Sequence, residues 1–315
     1  MKTIALVLLL AATASESPAT VRLAIDTPEK LFRPGGRMPV RFLIENAGDQ
    51  EAKVDEPDTY LEGLEILDGE GKVVKATGKT KGIARRSVSL DAGGFIGRTV
   101  DIASAFPPVA EDKEGWYRIR WSFGDTASNE LRIYVMRDWI ANLETNHGSI
   151  EIEFHPQLAP NHVQNFLKLS RSGFYEGSQF HRIIPGFMMQ GGSPKDSSKE
   201  LPKPLLAEFS STKHVFGTVS MARTNDPNSA TTQFFICFGG NNRHLDGNYT
   251  VFGQVISGEE VVKEIERVKS DHNPCKKCNR VIRTGGATPC CGTHHEDRPE
   301  QEVVIKKVTI TERKK

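Results

Sequence analysis

The sequence predicts a mostly β protein of two domains, in which a β-sandwich precedes a closed β-barrel with a helix at each end. Three observations predict this fold class. Apolar and polar residues alternate from Val21 to about Met136, and turn signals separate the alternating runs. Two helix-like segments stand well apart in the remaining, otherwise strand-rich part of the chain. A length of 315 residues suits two domains of ordinary size.

Composition and charge place the chain among soluble globular proteins. Hydrophobic residues make up 37% and charged residues 26%, which leaves little room for extensive disorder. The net charge is only +1, so no basic excess indicates nucleic acid or an anionic membrane surface as a partner.

The N-terminus has the pattern of a secretory signal peptide. Lys2 precedes an apolar run from Ile4 to Ala12, and Ala12 and Ala14 supply the small residues of a cleavage site. A membrane anchor or a buried strand is the alternative, but the run is far shorter than the roughly 20 residues that span a bilayer. We therefore expect a signal peptide over residues 1–14, a linker over residues 15–20, a periplasmic or extracellular location, and no membrane contact after cleavage.

Residues 21–137 predict the β-sandwich. Apolar residues alternate with polar ones over Val40–Ile44 and Tyr117–Phe123, and Asp68–Gly71 reads as a turn between two strands. Arg132–Met136 indicates a closing strand, and no stretch has the pattern of an amphipathic helix. Short strands at regular spacing favour an antiparallel sandwich.

Residues 138–315 predict the barrel and its two helices. Ile150–Phe154 alternates like a strand with one wet face, and Pro160 begins a helix that Gly173 ends. Ser257 and Glu260 have the spacing of a capping box, which predicts that a second helix starts at Ser257. The remaining apolar runs predict four strands, at Val215–Ala222, Gln233–Phe238, Val251–Val255 and Val303–Ile310.

The segment from Phe180 to Gly192 mixes polar and apolar chemistry in an unusual way. Its letters are FHRIIPGFMMQGG, so Arg182 and Gln190 stand among aromatic and thioether side chains. Strand alternation predicts that Phe187 and Met189 face one way and that Met188 and Gln190 face the other. A guanidinium and an amide would then share a cavity mouth with apolar walls.

This segment resembles the signature of the cyclophilin family. The resemblance continues in GTVSMAR from 217, in NSATTQFFI from 228 and in LDGNYTVFGQV from 245, and it covers about residues 142–312. It implies an eight-stranded closed barrel and a peptidyl-prolyl cis-trans isomerase (a rotamase, EC 5.2.1.8) that assists protein folding as a chaperone does. Its partners would be proline-containing polypeptides. The alternative is a module that binds proline peptides or acts as a scaffold with little turnover.

The resemblance also implies roles for individual residues. The catalytic set is Arg182, Phe187, Gln190 and Phe235, and the substrate-binding set is His181, Met188, Ala222, Gln233, His244, Leu245 and Tyr249. His244 stands where well-known eukaryotic members have a tryptophan that is associated with cyclosporin binding, and Tyr249 stands where they have a histidine. We therefore expect weak inhibition by cyclosporin and intact substrate binding.

The reaction itself requires no cofactor. Resonance gives the prolyl amide a rotation barrier of roughly 18–20 kcal/mol, and a catalyst needs only to favour the twisted amide. Arg182 can donate to the amide nitrogen or oxygen while apolar walls exclude water.

The first domain has a weaker resemblance. Its Asn46–Gly48 turn and Gly115–Tyr117 strand entry resemble those of immunoglobulin-like domains, which bind proteins or act as spacers. This predicts an immunoglobulin-like sandwich that recruits substrates or positions the isomerase.

Four of the five cysteines crowd a loop insertion at residues 271–299. Two main interpretations compete for Cys275, Cys278, Cys290, Cys291, His294 and His295, and free or redox-active thiols are a third possibility. The Cys-x-x-Cys spacing and the trailing histidines favour a structural zinc site, whereas export favours disulfides. Cys237 stands apart in a predicted strand, where we expect a small buried hydrophobe.

Overall fold

The computed structural model describes residues 20–77, 85–106, 113–196, 198–240, 242–270 and 297–313. The chain divides into two compact units, Met1–Val135 and Met136–Lys315. The predicted signal peptide and the six Cys and His residues of the predicted zinc or disulfide loop lie outside the described residues. Within the described ranges, no helix is both long and apolar enough to cross a membrane.

The described part of the first unit is built from β-strands and one short 3-10 helix, Ile102–Ser104. The strands are β1 (Val21–Asp26), β2 (Leu31–Phe32), β3 (Pro39–Asn46), β4 (Ala52–Pro57), β5 (Leu64–Leu67), β6 (Arg85–Leu90), β7 (Phe95–Asp101), β8 (Gly115–Phe123), β9 (Thr126–Ala127) and β10 (Leu131–Val135). They form a three-stranded sheet in the order β1-β3-β7, a larger sheet in the order β2-β10-β8-β5 with β9 on β8, and the pair β4-β6.

One hydrophobic core joins the two larger sheets of the first unit. Phe42 on β3 and Trp121 on β8 meet edge to face with ring centroids 5.3 Å apart, and Tyr60 packs against both rings. The alternation predicted for Val40–Ile44 and Tyr117–Phe123 is confirmed, since the residues of the apolar face are buried or half-buried. The predicted turn is also confirmed, because the Gly71 N–H donates to the Asp68 carbonyl at 2.9 Å.

The described part of the second unit contains one eight-stranded sheet, two α-helices and a short 3-10 helix, Arg243–Leu245. The strands are β11 (Trp139–Thr145), β12 (Gly148–Phe154), β13 (Arg182–Ile184), β14 (Met188–Gly191), β15 (Thr218–Met221), β16 (Phe234–Cys237), β17 (Val251–Ser257) and β18 (Ile305–Glu312), and the helices are α1 (Pro160–Arg171) and α2 (Glu259–Glu266). The sheet order is β13-β14-β16-β15-β17-β12-β11-β18, so β13 and β18 are its two ends.

Helix α1 closes one side of the sheet. Phe166 on its apolar face packs between Phe154, Phe234 and Phe252 with ring centroids 5.4–5.6 Å apart. Its N-cap residue is an alanine, which offers no side-chain acceptor. The Glu208 carboxylate takes this role, because it accepts from the backbone N–H groups of two first-turn residues at 3.1–3.2 Å.

The predicted capping box of the second helix is wrong. Ser257 remains in β17, paired with Glu151. Gly258, at φ +83°, makes the turn and occupies the N-cap position without a side-chain hydrogen bond. Helix α2 therefore begins at Glu259, since the strand pairing of Ser257 prevents it from capping the helix.

Candidate active site

Three neighbouring strands at one end of the sheet bring the predicted polar and apolar residues together. Arg182 on β13 pairs with Gln190 on β14, and Gln190 pairs with Phe235 on β16. Residues directly opposite on neighbouring strands share a face of the sheet. Arg182, Gln190 and Phe235 therefore form one row across that face.

Successive side chains of a strand point to opposite faces of the sheet, so this row and the core under helix α1 lie on different faces. Phe235 belongs to a buried cluster with Ile184, Met188, Cys237 and Leu245. Its neighbour Phe234 is fully buried on the opposite face, where it packs on Phe166 of α1. The prediction that Phe234 is a core residue is confirmed.

The predicted alternation is wrong for Phe187. Phe187 lies in the turn before β14 and packs against the cluster that contains Met188, rather than pointing to the side of Met189. The Phe187 N–H donates to the Ile184 carbonyl at 3.0 Å, and Gly186 adopts φ +72°. Strand alternation does not hold in this turn, because the Pro185–Gly186 step changes the direction of the chain.

A first cavity of about 120 Å³ opens on this row. Its walls carry most of the predicted site residues, and the described residues that line it are Arg182, Phe187, Met188, Gln190, Ala222, Arg223, Phe235, Leu245 and Tyr249. Gln233 lies behind this lining, because the amide of Gln190 donates to its side-chain oxygen at 2.9 Å. His244 stacks on Phe187 with ring centroids 5.4 Å apart.

His181 lies away from the first cavity. It lines a separate, second cavity of about 480 Å³, whose lining also includes Arg182. Burial lowers the pKa of His181, and the positive charges of Arg182 and Arg298 lower it further. The structure therefore brings ten of the eleven predicted site residues to the first cavity or its rim and puts His181 on the other side of Arg182.

Asp297 binds Arg182, and none of the sequence motifs identifies Asp297 as a site residue. The Arg182 Nε donates to a carboxylate oxygen of Asp297 at 3.1 Å, and the Asp297 side chain is only 4% exposed. The Ile183 N–H donates to the Asp297 carbonyl at 2.9 Å, which ties the backbone of Asp297 to β13. In the part of the chain that the structure describes, the two terminal nitrogens of Arg182 make no hydrogen bond, so the pair orients the guanidinium and leaves donors available at the cavity.

One further residue, Arg223, lines the first cavity and was missed by motif reasoning. Arg223 lies over the Tyr249 ring at 4.5 Å and donates to the Asn248 carbonyl. The Tyr249 ring in turn meets Phe235 edge to face at 5.7 Å. Both contacts keep Tyr249 against the wall of the cavity.

A buried polar network supports Phe235 from behind. His214 stacks on Phe235 with ring centroids 6.0 Å apart, and its Nδ1 lies 3.1 Å from a carboxylate oxygen of Asp246. Because a carboxylate only accepts, Nδ1 carries a proton, and Nε2 lies 3.2 Å from the oxygen of the Ser220 hydroxyl, which donates to the Thr250 carbonyl at 2.9 Å. Burial lowers the pKa of His214. The pKa of Asp246 is lowered to about 2, chiefly because its carboxylate accepts a hydrogen bond from the backbone N–H of His214.

Chemically, the first cavity combines apolar walls with a directed cation. The guanidinium of Arg182 can donate a hydrogen bond to a polar atom of a bound ligand. The apolar walls can contact the rest of that ligand. Among the described residues, no group of three or more His, Cys, Asp or Glu side chains could hold a metal ion.

Known proteins resemble the second unit of this chain. The family model described as cyclophilin type peptidyl-prolyl cis-trans isomerase/CLD matches residues 140–310. A probable peptidyl-prolyl cis-trans isomerase of Brucella abortus (strain 2308) is 39% identical over 159 residues, which are 45% of this chain and 79% of that protein. Peptidyl-prolyl cis-trans isomerase B of Escherichia coli (strain K12) is 37% identical over 183 residues, which are 55% of this chain and 100% of that protein.

A solved structure is also similar. It is a cyclophilin type peptidyl-prolyl cis-trans isomerase of Cryptosporidium parvum, crystallised in the presence of the dipeptide Ala-Pro. The sequence identity is 28%, the match covers 55% of this chain and 99% of that one, and the TM-score is 0.45.

Proposed function

The chain belongs to the cyclophilin-type peptidyl-prolyl cis-trans isomerase family, and from that premise we propose that its isomerase activity depends on Arg182 at the mouth of the first cavity. The chain is a peptidyl-prolyl cis-trans isomerase. The observation that carries the site proposal is the geometry of Arg182, whose Nε is bound to buried Asp297 while its terminal nitrogens remain available beside apolar walls.

In the proposed mechanism, the apolar walls bind the proline ring. Phe187, Met188, Phe235 and Leu245 surround it and exclude water. When the amide twists, its nitrogen loses conjugation with the carbonyl and becomes a better hydrogen-bond acceptor. Arg182 then donates to this nitrogen or to the carbonyl oxygen more strongly than in the planar ground state, and that difference lowers the barrier.

The side-chain amides at the cavity supply orientation. Gln190 and Gln233 are bound to each other at 2.9 Å, and Ala222 donates its N–H to the Gln233 carbonyl. In this proposal they present hydrogen-bonding groups to the backbone of the bound peptide. The catalytic step transfers no proton and involves no oxidation or reduction, so it requires no cofactor.

Replacement of Arg182 by alanine tests the proposed site. We expect Arg182→Ala to keep its circular dichroism spectrum and to lose about 100- to 1000-fold in kcat/KM on an Ala-Pro tetrapeptide, a loss typical of removing a donor aimed at the transition state. A variant as fast as the wild type would overturn the site assignment. If wild type binds the peptide without accelerating its isomerisation, the alternative of a binding or scaffolding module is correct.

We also propose that the isomerase is exported and assists the folding of exported polypeptides. The support is the sequence pattern of residues 1–14, a charged start, a short apolar run and small residues at the cleavage position. N-terminal sequencing of protein from a fractionated host tests it. A mature chain that starts near residue 15 outside the cytoplasm is expected, and an uncleaved cytoplasmic chain would contradict the proposal.

For the crowded cysteines, a structural zinc ion is the favoured proposal and disulfides remain the alternative. The support is the spacing of Cys275 and Cys278 and the pair His294 and His295. Metal analysis combined with thiol counting separates the two. One zinc per chain with reduced thiols supports the first, and no zinc with no free thiols in the loop supports the second.

Two finer statements about the fold are proposed as well. We infer that the eight-stranded sheet closes into a barrel, because the segments beside its two ends are bonded, with Phe180 N–H donating to the Val303 carbonyl and Ile305 N–H donating to the Ser178 carbonyl. We infer an immunoglobulin-like sandwich for the first unit, because its two larger sheets share one core. An experimental structure of the full chain tests both.

A further inference from the structure

The turn that carries Phe187 leaves one backbone donor for a partner outside it. Residues 184–187 form the Phe187 turn, which the Phe187 N–H closes by donating to the Ile184 carbonyl at 3.0 Å. Pro185 in its second position and Gly186 with φ +72° in its third make it a type II turn. The closing bond does not involve the Gly186 N–H, so this donor requires water or an acceptor from elsewhere in the chain.

Glu266 supplies that acceptor from 80 residues further along the chain. Its carboxylate oxygen accepts from the Gly186 N–H at 2.8 Å. Glu266 is the last residue of α2, and the last turn of a helix favours cations over carboxylates because the helix dipole is negative there. The acidic residue therefore stands against the local preference of its helix, and the bond to Gly186 is the interaction that this position makes.

The other side of the Phe187 turn is fixed by the loop after β16. The Phe187 carbonyl accepts from the Phe238 N–H at 2.9 Å and from the Asn242 side-chain amide at 3.4 Å. Gly240 packs so closely on the Gly186 carbonyl that a Cβ at position 240 would clash with it. A turn attached along one side can still rotate about that side, and the bond from α2 to the Gly186 N–H opposes this rotation.

The ring of Phe187 moves with the Phe187 turn. It lies before β14 begins, lines the first cavity and stacks on His244 with ring centroids 5.4 Å apart. A rotation of the turn would displace this ring relative to the other walls. Because the cavity measures only about 120 Å³, a small displacement changes which ring fits it.

We propose that Glu266 is a positioning residue that sets the width of the first cavity through Phe187, and that it thereby determines the preference for a five-membered proline ring. The inference deepens the proposed function and rests on it, because it assumes that the proline ring sits in the first cavity. Glu266 is not among the described residues that line this cavity, so it acts through the Phe187 turn and not by touching the substrate.

Two peptides that differ by one methylene test this preference. The first carries an Ala-Pro bond, and in the second pipecolic acid, whose ring has six members, replaces proline. We expect wild type to favour the proline peptide by about ten-fold in kcat/KM, the lower end of what one methylene is worth in a close-fitting pocket. NMR exchange spectroscopy measures both catalysed rates above the uncatalysed background.

Variants of α2 complete the experiment. Glu266→Ala removes the acceptor and retains a strong helix former. Its kcat/KM on the proline peptide should fall about five-fold, the effect of one lost hydrogen bond, and its proline-to-pipecolate ratio should fall to about three-fold or less. Glu266→Gln keeps an acceptor oxygen for Gly186, and its ratio should stay within about two-fold of wild type.

Glu264→Ala is the matched control. Glu264 is an exposed carboxylate of the same helix that binds His147 at 2.9 Å, so its removal should leave the ratio unchanged. The exchange rate of the Gly186 amide hydrogen reports on the proposed bond itself. It should rise in Glu266→Ala and stay at the wild-type value in Glu264→Ala.

The outcomes separate this inference from the proposed function. If Glu266→Ala keeps the wild-type ratio, or if wild type accelerates both peptides alike, the inference is wrong and the isomerase stands. If Glu266→Ala slows both peptides equally and loses stability in urea, Glu266 has only a structural role and the inference is again wrong. If wild type does not accelerate the proline peptide, the proposed function fails and the inference fails with it.

Discussion

Each unit of the molecule contains a nearly buried carboxylate that binds arginine, and the two pairs are built differently. In the first unit Glu56 is 6% exposed, accepts hydrogen bonds from Arg86 and Tyr60 at 2.5–3.2 Å, and forms an ion pair with Arg98 at 3.4 Å. In the second unit Asp297 is 4% exposed and binds the Nε of Arg182. The first arrangement satisfies the carboxylate with several donors, whereas the second holds an arginine by one nitrogen.

This difference separates a stabilising pair from an orienting pair. Arg86 and Arg98 are mostly exposed, and neither lines the cavities described above. Arg182 is 30% exposed and lines two cavities. Glu56 therefore has a structural role, because exposed arginines bind to it. Asp297 has a functional role, because it directs an arginine towards a cavity.

After the removal of Arg182 itself, the largest expected effect comes from changing the shape of the cation at position 182 while keeping its charge. Arg182→Lys has a single ammonium group, which cannot both bind Asp297 and donate into the first cavity. We expect kcat/KM to fall by about 100-fold, because the lysine lacks the planar fork of donors. The proline-peptide assay measures this change.

The control for this prediction is Arg171→Lys. Arg171 lies on α1 over the Trp139 ring at 4.5 Å, away from the cavity lining, and its replacement should leave kcat/KM unchanged. If Arg182→Lys stays within about three-fold of wild type, charge alone suffices and the orienting role of Asp297 is lost.

Removing the structural carboxylate should act on stability alone. Burial raises the pKa of Glu56, but hydrogen bonds from Arg86 and Tyr60 outweigh it, so the pKa lies below the usual value and the group is ionised at neutral pH. Glu56→Ala leaves the Tyr60 hydroxyl and two arginines without this acceptor, and we expect a loss of about 2 kcal/mol in the free energy of unfolding of the first unit.

Urea unfolding and the peptide assay measure the two readouts separately. Glu56→Gln keeps an acceptor oxygen and should lose about half as much stability, roughly 1 kcal/mol. A fall in kcat/KM on short peptides in a folded Glu56 variant would contradict the assignment of this pair to structure.

Removing the orienting carboxylate should act on catalysis. Asp297 has φ +56°, a conformation that glycine and asparagine tolerate, so Asp297→Gly deletes the carboxylate without backbone strain. We expect a loss of about ten-fold in kcat with little change in KM, equivalent to about 1.4 kcal/mol, since Arg182 would no longer be held in the orientation that favours the transition state.

Asparagine at position 297 should restore kcat, which it would not do if Asp297 had only a structural role. Asp297→Asn retains an acceptor for the Arg182 Nε, and its kcat should return to within about three-fold of wild type. If glycine and asparagine reduce stability equally and leave kcat alone, Asp297 is a structural residue like Glu56.

The sequence predicts the parts of the site that depend on local order along the chain. Alternation separates Phe235 from Phe234, and the family resemblance supplies Arg182 and its apolar neighbours. The prediction for Phe187 is wrong, since alternation was extended through a turn. These features are set by residues a few positions apart, where backbone geometry limits the possibilities.

Contacts between distant parts of the chain could not be predicted in this way. Asp297 is 115 residues from Arg182, and Glu208 caps α1 from 46 residues beyond His162. Such pairs leave no periodic pattern, because each is one residue brought into place by the whole sheet. The same holds for His214, which reaches Phe235 only when β15 and β16 have paired.

The pair of His214 and Asp246 extends the comparison to the pH dependence of stability. Burial lowers the pKa of His214 below the value of about 6.5 expected in the unfolded chain. Between those two values the unfolded state binds more protons, so this contribution to stability is complete above about pH 6.5 and is lost as the pH falls through the folded pKa. For Asp246, whose pKa is lowered to about 2, the contribution is complete above about pH 3.9 and is lost towards pH 2.

The predicted effect is the smallest of the set, because one unit of pH changes the unfolding free energy by at most about 1.4 kcal/mol per group. We expect wild type to become less stable between pH 6.5 and 5.5 in urea unfolding, and both His214 and His181 contribute, because burial lowers the pKa of each. His214→Gln should reduce this loss to the part that His181 contributes. It should keep the loss below pH 3.9, since the backbone N–H of residue 214 still binds Asp246. His147→Gln, which changes another histidine of the same unit, should retain both losses. A wild-type protein whose stability is flat from pH 6.5 to 5.5 would mean that His214 accepts a proton in place, and that its pair with Asp246 behaves like the satisfied carboxylate of the first unit.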